Sequence, residues 1–169
     1  MSLDRKLKMS PSFRLGELIP ADCKFVPADI LVELQELCQT ILEPVRTHFG
    51  VPVAIHDAWR PLEHNEAVGG VPTSDHLTGH AADFHVLQGN GQTWEQNTLD
   101  AYDFIRQDLD GKFGQLILED HRTFANESSK LWIHVSTPTA KHPGVSTDFN
   151  AVLISDRPGH YLPFQENRA

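Results

Sequence analysis

The sequence predicts a single domain of the α+β class, in which helices pack on one face of a small antiparallel sheet. Three observations support this fold class. An apolar stripe with helical spacing occupies the first third of the chain, and two later segments, 81–86 and 131–136, alternate apolar and polar residues as half-buried strands do. With 169 residues, of which 40% are hydrophobic, the chain has the length and core of one domain. We therefore expect one domain over residues 1–169, with its core at about 12–157.

Residues 28–48 form the clearest predicted helix of the chain. Their apolar side chains recur at i, i+3 and i+4, the spacing that makes one stripe along a helix. Pro44 should kink this helix near its end, and Gly50 supplies a stop signal. The stripe consists of Ile30, Leu31, Leu34, Leu37, Cys38, Ile41, Leu42 and Val45.

The elements that follow are predicted to mix strands and helices. Residues 51–56 have the pattern of a strand, and residues 62–68 have the pattern of a short helix. A glycine-rich turn at 89–91 follows the first alternating segment. From Trp94 to Leu109, apolar residues recur at helical spacing, which predicts a second long helix that ends at Gly111.

The last third of the chain predicts a hairpin and one further strand. Residues 115–119 and 130–136 can pair as an antiparallel hairpin across the polar loop 120–129. Residues 151–155 predict the last strand, and we expect the tail from Gly159 onward to be loop.

Charge and hydropathy exclude several function classes. Acidic residues outnumber basic residues 23 to 14, which gives a net charge of −9, and no cluster of Lys and Arg suggests a nucleic-acid groove. The chain has no uninterrupted apolar run of about 18 residues, so we expect no membrane insertion. No apolar stretch of signal-peptide length follows the charged residues 1–10, which favours a protein that is cytoplasmic as synthesised and can act at the cell wall after release. The sequence carries no indication of oligomeric state.

The stretch 74–83, together with residues 132–136, contains the side chains for a metal site. His76, Asp83 and His134 supply two imidazoles and one carboxylate, which Zn²⁺ accepts, and three protein ligands leave the fourth tetrahedral position open. Strand alternation places Asp83 and His134 on the polar faces of their strands. Gly79 permits a turn that folds His76 back toward Asp83, and the Ser74 hydroxyl can hydrogen-bond a ligand or a backbone amide.

These motifs resemble those of a known family. The pattern SxHxxGxAxD at 74–83, followed by WxH at 132–134, is similar to the signature of the zinc D-Ala-D-Ala carboxypeptidases. The similarity is greatest to their short phage and prophage branch, and the family is related to lysostaphin-type peptidases and the hedgehog domain. Segments 55–70 and 113–119 resemble the strands and turns that accompany the metal motif, so the resemblance covers roughly residues 12–137.

The resemblance implies a zinc metallopeptidase with a hedgehog-like fold whose sheet carries the metal. Its expected substrates are stem peptides of bacterial peptidoglycan, cut by a D-Ala-D-Ala carboxypeptidase or an endopeptidase, for example a phage endolysin or a recycling enzyme of the cell wall. Arg60 is then a candidate for binding a substrate carboxylate or a developing oxyanion, although a structural salt bridge is an equal alternative. Trp59 and Trp132 are expected to wall the cleft.

One departure from the family concerns the general base. Many members carry Glu or Asp three residues before the last histidine, and this chain has Leu131 there. The short branch that this chain most resembles uses a glutamate at a strand end. This resemblance favours Glu119 as the catalytic base over Asp120 or Glu127. A slip of one residue in the hairpin would turn Glu119 to the opposite face, so its role depends on the register.

The remaining histidines of this region have ordinary explanations. His80 and His85 lie beside the metal motif, but an isolated histidine is more often a surface or hydrogen-bonded residue than a ligand. His56 is a possible substrate contact because it lies at the end of a strand that leads to Arg60. Leu131 also keeps a second function open, a non-catalytic zinc domain that binds muropeptides or a protein, such as a phage structural component.

Overall fold

The computed structural model describes residues 3–125, 130–142 and 152–164, and within them an α+β architecture is confirmed. Five α-helices and one six-stranded sheet surround one hydrophobic core in this part of the chain. The helices are α1 (Ala28–Leu37), α2 (Glu43–Phe49), α3 (Leu62–Ala67), α4 (Trp94–Asp108) and α5 (Arg122–Ala125). The strands are β1 (Val53–Asp57), β2 (Ala81–Val86), β3 (Leu116–Asp120), β4 (Leu131–Ser136), β5 (Val152–Arg157) and β6 (His160–Pro163).

The predicted first helix is present, but it is interrupted by a wider turn. Residues Cys38–Leu42 form a π-helical turn between α1 and α2, immediately before Pro44. Because Pro44 has no N–H to donate and its ring crowds the preceding turn, the widened turn relieves the conflict without ending the helix. Gly50 ends α2 in the left-handed conformation with φ +67°, as the stop signal predicted.

The sheet has the strand order β1-β2-β4-β3-β5-β6 and is mixed, which corrects the expectation of a small antiparallel sheet. All neighbouring pairs are antiparallel except β3 and β5, which are parallel. The parallel pair arises because β3 and β4 form the predicted hairpin, and β5 then runs opposite to β4 on the far side of β3. Four of the five strand pairs therefore keep the predicted orientation.

The tail was expected to be loop from Gly159 onward, and this prediction is wrong. Residues His160–Pro163 pair with β5 through a tight turn at Pro158-Gly159, where Gly159 has φ +75°. A Pro-Gly pair is itself a turn signal, so the four residues after it could have been assigned to a hairpin strand. The predicted loop 120–129 likewise contains the short helix α5, and its residues 126–129 lie outside the described part of the chain.

One face of the sheet is buried and apolar, and the other lines a cleft. Helix α4 packs on the buried face against β2, β3 and β4. Each fully buried apolar side chain there contributes roughly 1.5–3 kcal/mol to the free energy of unfolding. The main side chains of this face are Phe84, Leu116, Leu118, Leu131, Ile133 and Val135. Among the described residues, no helix is both long and apolar enough to cross a membrane.

Candidate metal centre and catalytic cleft

His76, Asp83 and His134 come together on the open face of the sheet. His134 Nδ1 lies 2.8 Å from Asp83 Oδ1, His76 Nε2 lies 3.3 Å from the same oxygen, and the two imidazole nitrogens are 3.2 Å apart. Ligand atoms bonded to Zn²⁺ at about 2.0–2.2 Å with tetrahedral angles lie about 3.3 Å from one another. The donor set and its separations therefore fit a zinc ion, and this is the cluster of metal-binding side chains found among the described residues.

The strand register explains why two of these residues meet. Asp83 of β2 and His134 of β4 are direct cross-strand partners in an antiparallel pair, so both side chains leave the sheet on the same face. The intervening positions Phe84 and Ile133 point to the core and are fully buried. The alternation seen in the sequence is thus present in both strands.

His76 is brought to the pair by a short 3₁₀ turn, Asp75–Thr78, which ends at Gly79 with φ +79°. A side chain at Gly79 would be strained by this φ and would press against Ile30 at 3.2 Å. The Ser74 hydroxyl accepts a hydrogen bond from the His76 amide at 3.4 Å, one of the two roles predicted for it.

The segment 58–60 holds the His76 ring in its orientation. His76 Nδ1 lies 2.6 Å from the carbonyl oxygen of Ala58, which can only accept, so Nδ1 carries a proton and Nε2 is the nitrogen that could bind a metal ion. The Arg60 amide donates to the His76 carbonyl at 3.0 Å, and the Trp59 indole N–H donates to the Leu77 carbonyl at 3.2 Å. Trp59 is therefore a core residue that supports the turn, contrary to the expectation that it walls the cleft.

Asp83 is ionised and its second oxygen is occupied. Burial alone raises the pKa of this carboxyl, but the charge and hydrogen bonds of His76 and His134 outweigh it and hold the pKa well below its ordinary value. A metal ligand must be deprotonated, and Asp83 meets this requirement at neutral pH. Asp83 Oδ2 accepts a hydrogen bond of 2.6 Å from Arg60 Nη2, whose Nε bonds Asp57 Oδ2 at 2.6 Å.

Replacing Arg60 by Gln should weaken zinc binding about 10–100-fold, the usual effect of removing a group that orients a metal ligand. Without the guanidinium, Asp83 loses the bond that fixes its rotamer and points Oδ1 at the imidazoles. Competition against a chromophoric zinc chelator would measure the affinity. Arg122→Gln, which breaks an Arg–Asp pair outside the site, is the matched control. Unchanged zinc affinity with a raised KM would instead identify Arg60 as a direct substrate contact.

The metal-binding cluster lies in a cleft of about 710 Å³, and Glu119 lies in the same cleft. The register pairs Glu119 with Trp132, and the next residue of β3 on the same face, Ile117, pairs with His134. Glu119 and His134 are therefore diagonal neighbours on the open face, a relation in which residues lie about 7–8 Å apart and their Cβ atoms somewhat closer. The sequence did not determine this register. The observed one directs Glu119 to the face of the sheet that carries Asp83 and His134.

Glu119 is 7% exposed, and burial raises the pKa of its carboxyl above the ordinary value. Hydrogen bonding from Ser155 and the charges of His121 and His134 act in the opposite direction, without cancelling the effect of burial. A carboxyl whose pKa is raised toward neutrality is better matched to accepting and returning a proton than an ordinary surface glutamate.

The other candidate bases do not reach the cleft among the described residues. Asp120 pairs across the sheet with Leu131 and is bound by Arg122 at 2.7 Å. Leu131 is fully buried on the core face, so a carboxylate at that position would point away from the metal cluster. Glu127 lies outside the described residues.

His80, His85 and His56 stay apart from the metal-binding cluster. His80 Nε2 lies 3.1 Å from Glu33 Oε2 on α1, so the His80 ring is held against this helix. His56 and His85 hydrogen-bond each other, and the His85 ring packs edge-on against Trp94. None of the three lines the cleft, so the possible substrate contact at His56 is not supported by its position.

Two buried residues beside Glu119, His121 and Ser155, were not indicated by the sequence patterns. His121 lines the cleft and lies 2.8 Å from Glu119, and Ser155 is the cross-strand neighbour of Glu119 on β5. Ser155 is brought to Glu119 by the parallel pairing of β3 with β5, which the sequence did not predict. The one signal available was the position of His121, two residues after Glu119.

The comparison with families of known proteins gives a match. A family model described as Peptidase M15 matches residues 19–110, more than half of the chain. The matched segment includes His76 and Asp83 and ends before Glu119 and His134. No curated protein matches the chain.

Proposed function

The chain belongs to the Peptidase M15 family, and from this premise we propose that it is a zinc-dependent metallopeptidase that hydrolyses peptide bonds in peptidoglycan stem peptides. The observation that carries the proposal is the presence of the His76–Asp83–His134 cluster and the buried Glu119 in one cleft. A domain that only bound metal would have no need of a buried carboxylate there. Glu119 therefore favours an enzyme over the non-catalytic zinc domain considered above.

His76 Nε2, Asp83 Oδ1 and His134 Nδ1 would hold the zinc ion. When bound, zinc would act as a Lewis acid that polarises the scissile carbonyl and lowers the pKa of a coordinated water to about 7. The protein contributes the orientation of these ligands, through the Ala58 carbonyl on His76 and the Arg60 guanidinium on Asp83.

Glu119 is proposed as the general base. Its ionised carboxylate would take a proton from the attacking water and then return it to the nitrogen of the leaving amine as the peptide bond breaks. The raised pKa of Glu119 makes its carboxylate a stronger proton acceptor than an ordinary glutamate, which suits the first of these steps. Arg60 would act mainly through Asp83, and its remaining nitrogen, Nη1, makes no bond to another described residue.

The cleft has the chemistry expected for an anionic peptide substrate. Lys130 and Lys141 line it in a chain whose net charge is −9, and Trp132 and Tyr161 supply aromatic walls. Stem peptides carry free carboxylates and small side chains, which match these walls and charges. The proposed activity is either D-Ala-D-Ala carboxypeptidase or endopeptidase cleavage, in a phage endolysin or a wall-recycling enzyme.

Incubation of the purified, zinc-loaded protein with defined muropeptides should yield cleaved products by mass spectrometry. Release of terminal D-Ala identifies a carboxypeptidase, whereas two peptide fragments identify an endopeptidase. A chelator should abolish the reaction and added zinc should restore it, because the ligands are present in the chain before metal binds. Intact muropeptides after prolonged incubation with fully loaded protein would contradict the proposal and favour the non-catalytic zinc domain.

A further inference from the structure

We propose that His121 is a positioning residue that holds the Glu119 carboxylate for its role as general base. The inference rests on the proposed function, since Glu119 needs positioning only if it acts on a proton. No motif of the sequence pointed to His121, and it lies outside the segment matched by the family model. The proposal rests on the contacts of a buried group of three side chains, Glu119, His121 and Ser155.

The three side chains form a connected group between β3 and β5. His121 Nε2 lies 2.8 Å from Glu119 Oε2 and 2.9 Å from Ser155 Oγ. All three residues are at least nine-tenths buried, and the His121 ring packs edge-on against Trp132 with ring centroids 5.0 Å apart. The ring is thus held from two sides, with one nitrogen directed at the carboxylate.

The hydrogen bonds determine which nitrogen of His121 carries a proton. The Ser155 hydroxyl has one hydrogen, for which the Arg157 carbonyl at 3.0 Å and the Glu119 carboxylate are the acceptors, so toward His121 it accepts. The Glu119 carboxylate is also an acceptor. His121 Nε2 must therefore be protonated. It donates to Ser155 Oγ and to Glu119 Oε2, and it approaches the carboxylate from one side.

This donor has two consequences for Glu119. A hydrogen bond to the ionised carboxylate favours the charged form and offsets part of the burial that disfavours it. It also occupies one side of Oε2, and a carboxylate has about four lone-pair sites, so others remain for the attacking water. Without His121 the carboxyl would be buried beside Ser155 alone and would have more rotamers available.

Other charges face Glu119 from the neighbouring strands. His134 on β4 favours its ionised form, and Asp83 on β2 opposes it. Tyr161 on β6 faces the same region: burial raises the pKa of its phenol, and the charges of Glu119 and Asp83 raise it further. Of the two imidazoles among these groups, His121 is the one that the structure places in direct contact with the carboxylate.

Two variants of His121 test whether Glu119 needs a hydrogen-bond donor at the position of Nε2 or only a polar side chain nearby. In His121→Gln the amide nitrogen is as many bonds from Cβ as Nε2 is, whereas in His121→Asn it is one bond short. We expect His121→Asn to lower kcat/KM about 10–100-fold at neutral pH and to move its acid limb to higher pH, and His121→Gln to restore both in large part. Zinc content should stay the same in both variants.

A second readout does not require activity. Carbon-13 NMR of selectively labelled glutamate in the zinc-loaded protein follows the titration of the Glu119 carboxyl, assigned with Glu119→Gln. His121→Asn should raise the pKa of Glu119 and His121→Gln should return it toward the wild-type value. His142→Asn removes a comparable buried imidazole, 3.0 Å from Asp75, and should leave the Glu119 titration unchanged.

The outcomes distinguish the inference from the proposed function. A Glu119 pKa that is the same in wild type, His121→Asn and His121→Gln would overturn the role of His121, whether or not the protein cuts peptides. The expected NMR shifts in a protein that leaves all muropeptides intact would support the contact of His121 with Glu119 while refuting the peptidase, and with it the catalytic purpose assigned to the contact.

Discussion

Glu119→Gln is expected to reduce kcat for muropeptide hydrolysis about 10²–10⁴-fold while the protein still binds zinc. Glutamine preserves the size of the side chain and can still hydrogen-bond His121 and Ser155, but it cannot accept a proton from water. Because the substitution removes a charge from a site that is 7% exposed, we expect the fold to tolerate it well. Steady-state kinetics with zinc content measured on the same samples would test this result.

Glu33→Gln is the matched control for this experiment. Glu33 also contacts a histidine of the metal-motif region, His80 at 3.1 Å, but it lies on α1 outside the cleft. The control should retain wild-type kcat. Full activity in Glu119→Gln would exclude Glu119 as the base and return attention to the residues outside the described part of the chain, among them Glu127.

The pH dependence of the wild-type enzyme should reflect the environment of Glu119. Since burial raises the pKa of this carboxyl, the proton-accepting form is lost as pH falls through that raised value. The acid limb of kcat/KM should therefore lie above the pH range in which an ordinary glutamate titrates, about 4.3.

His134→Ala or His76→Ala is expected to remove both bound zinc and activity. Two remaining ligands do not make a zinc site of useful affinity, and loss of the several kcal/mol that a metal provides in the transition state corresponds to roughly 10³-fold in rate or more. Elemental analysis after dialysis should find close to one zinc per wild-type chain and nearly none in either variant. Circular dichroism would verify that both variants remain folded.

His80→Ala and His85→Ala are the controls for the metal ligands. Both residues belong to the same motif region, but their rings are held by Glu33 and by His56 away from the cleft. Each variant should keep one zinc per chain. Loss of zinc in His85→Ala with retention in His134→Ala would contradict the assignment of the ligands.

Much of the site could be predicted because strand alternation is a local property. Asp83 and His134 occur at polar positions of alternating segments, and alternation alone is enough to place both on one face. Gly79 likewise signalled the turn that returns His76 to the sheet. The orientation of each of these side chains follows from the pattern of residues within about ten positions of it in the chain.

The parts that could not be predicted depend on pairing between distant segments. The face of Glu119 depends on a register that one residue of slip would reverse, and the contacts of Ser155 with Glu119 and His121 depend on β5 adding to β3 in parallel. The role of Arg60 was open for the same reason. Its bond to Asp83 depends on the pairing of β1 with β2.

Anomalous diffraction at the zinc edge, from crystals of the zinc-loaded protein, would test the metal site most directly. We expect one strong peak about 2.0–2.2 Å from His76 Nε2, Asp83 Oδ1 and His134 Nδ1. A peak bound by other residues, such as His56 and His85, or the absence of any stoichiometric peak, would contradict it.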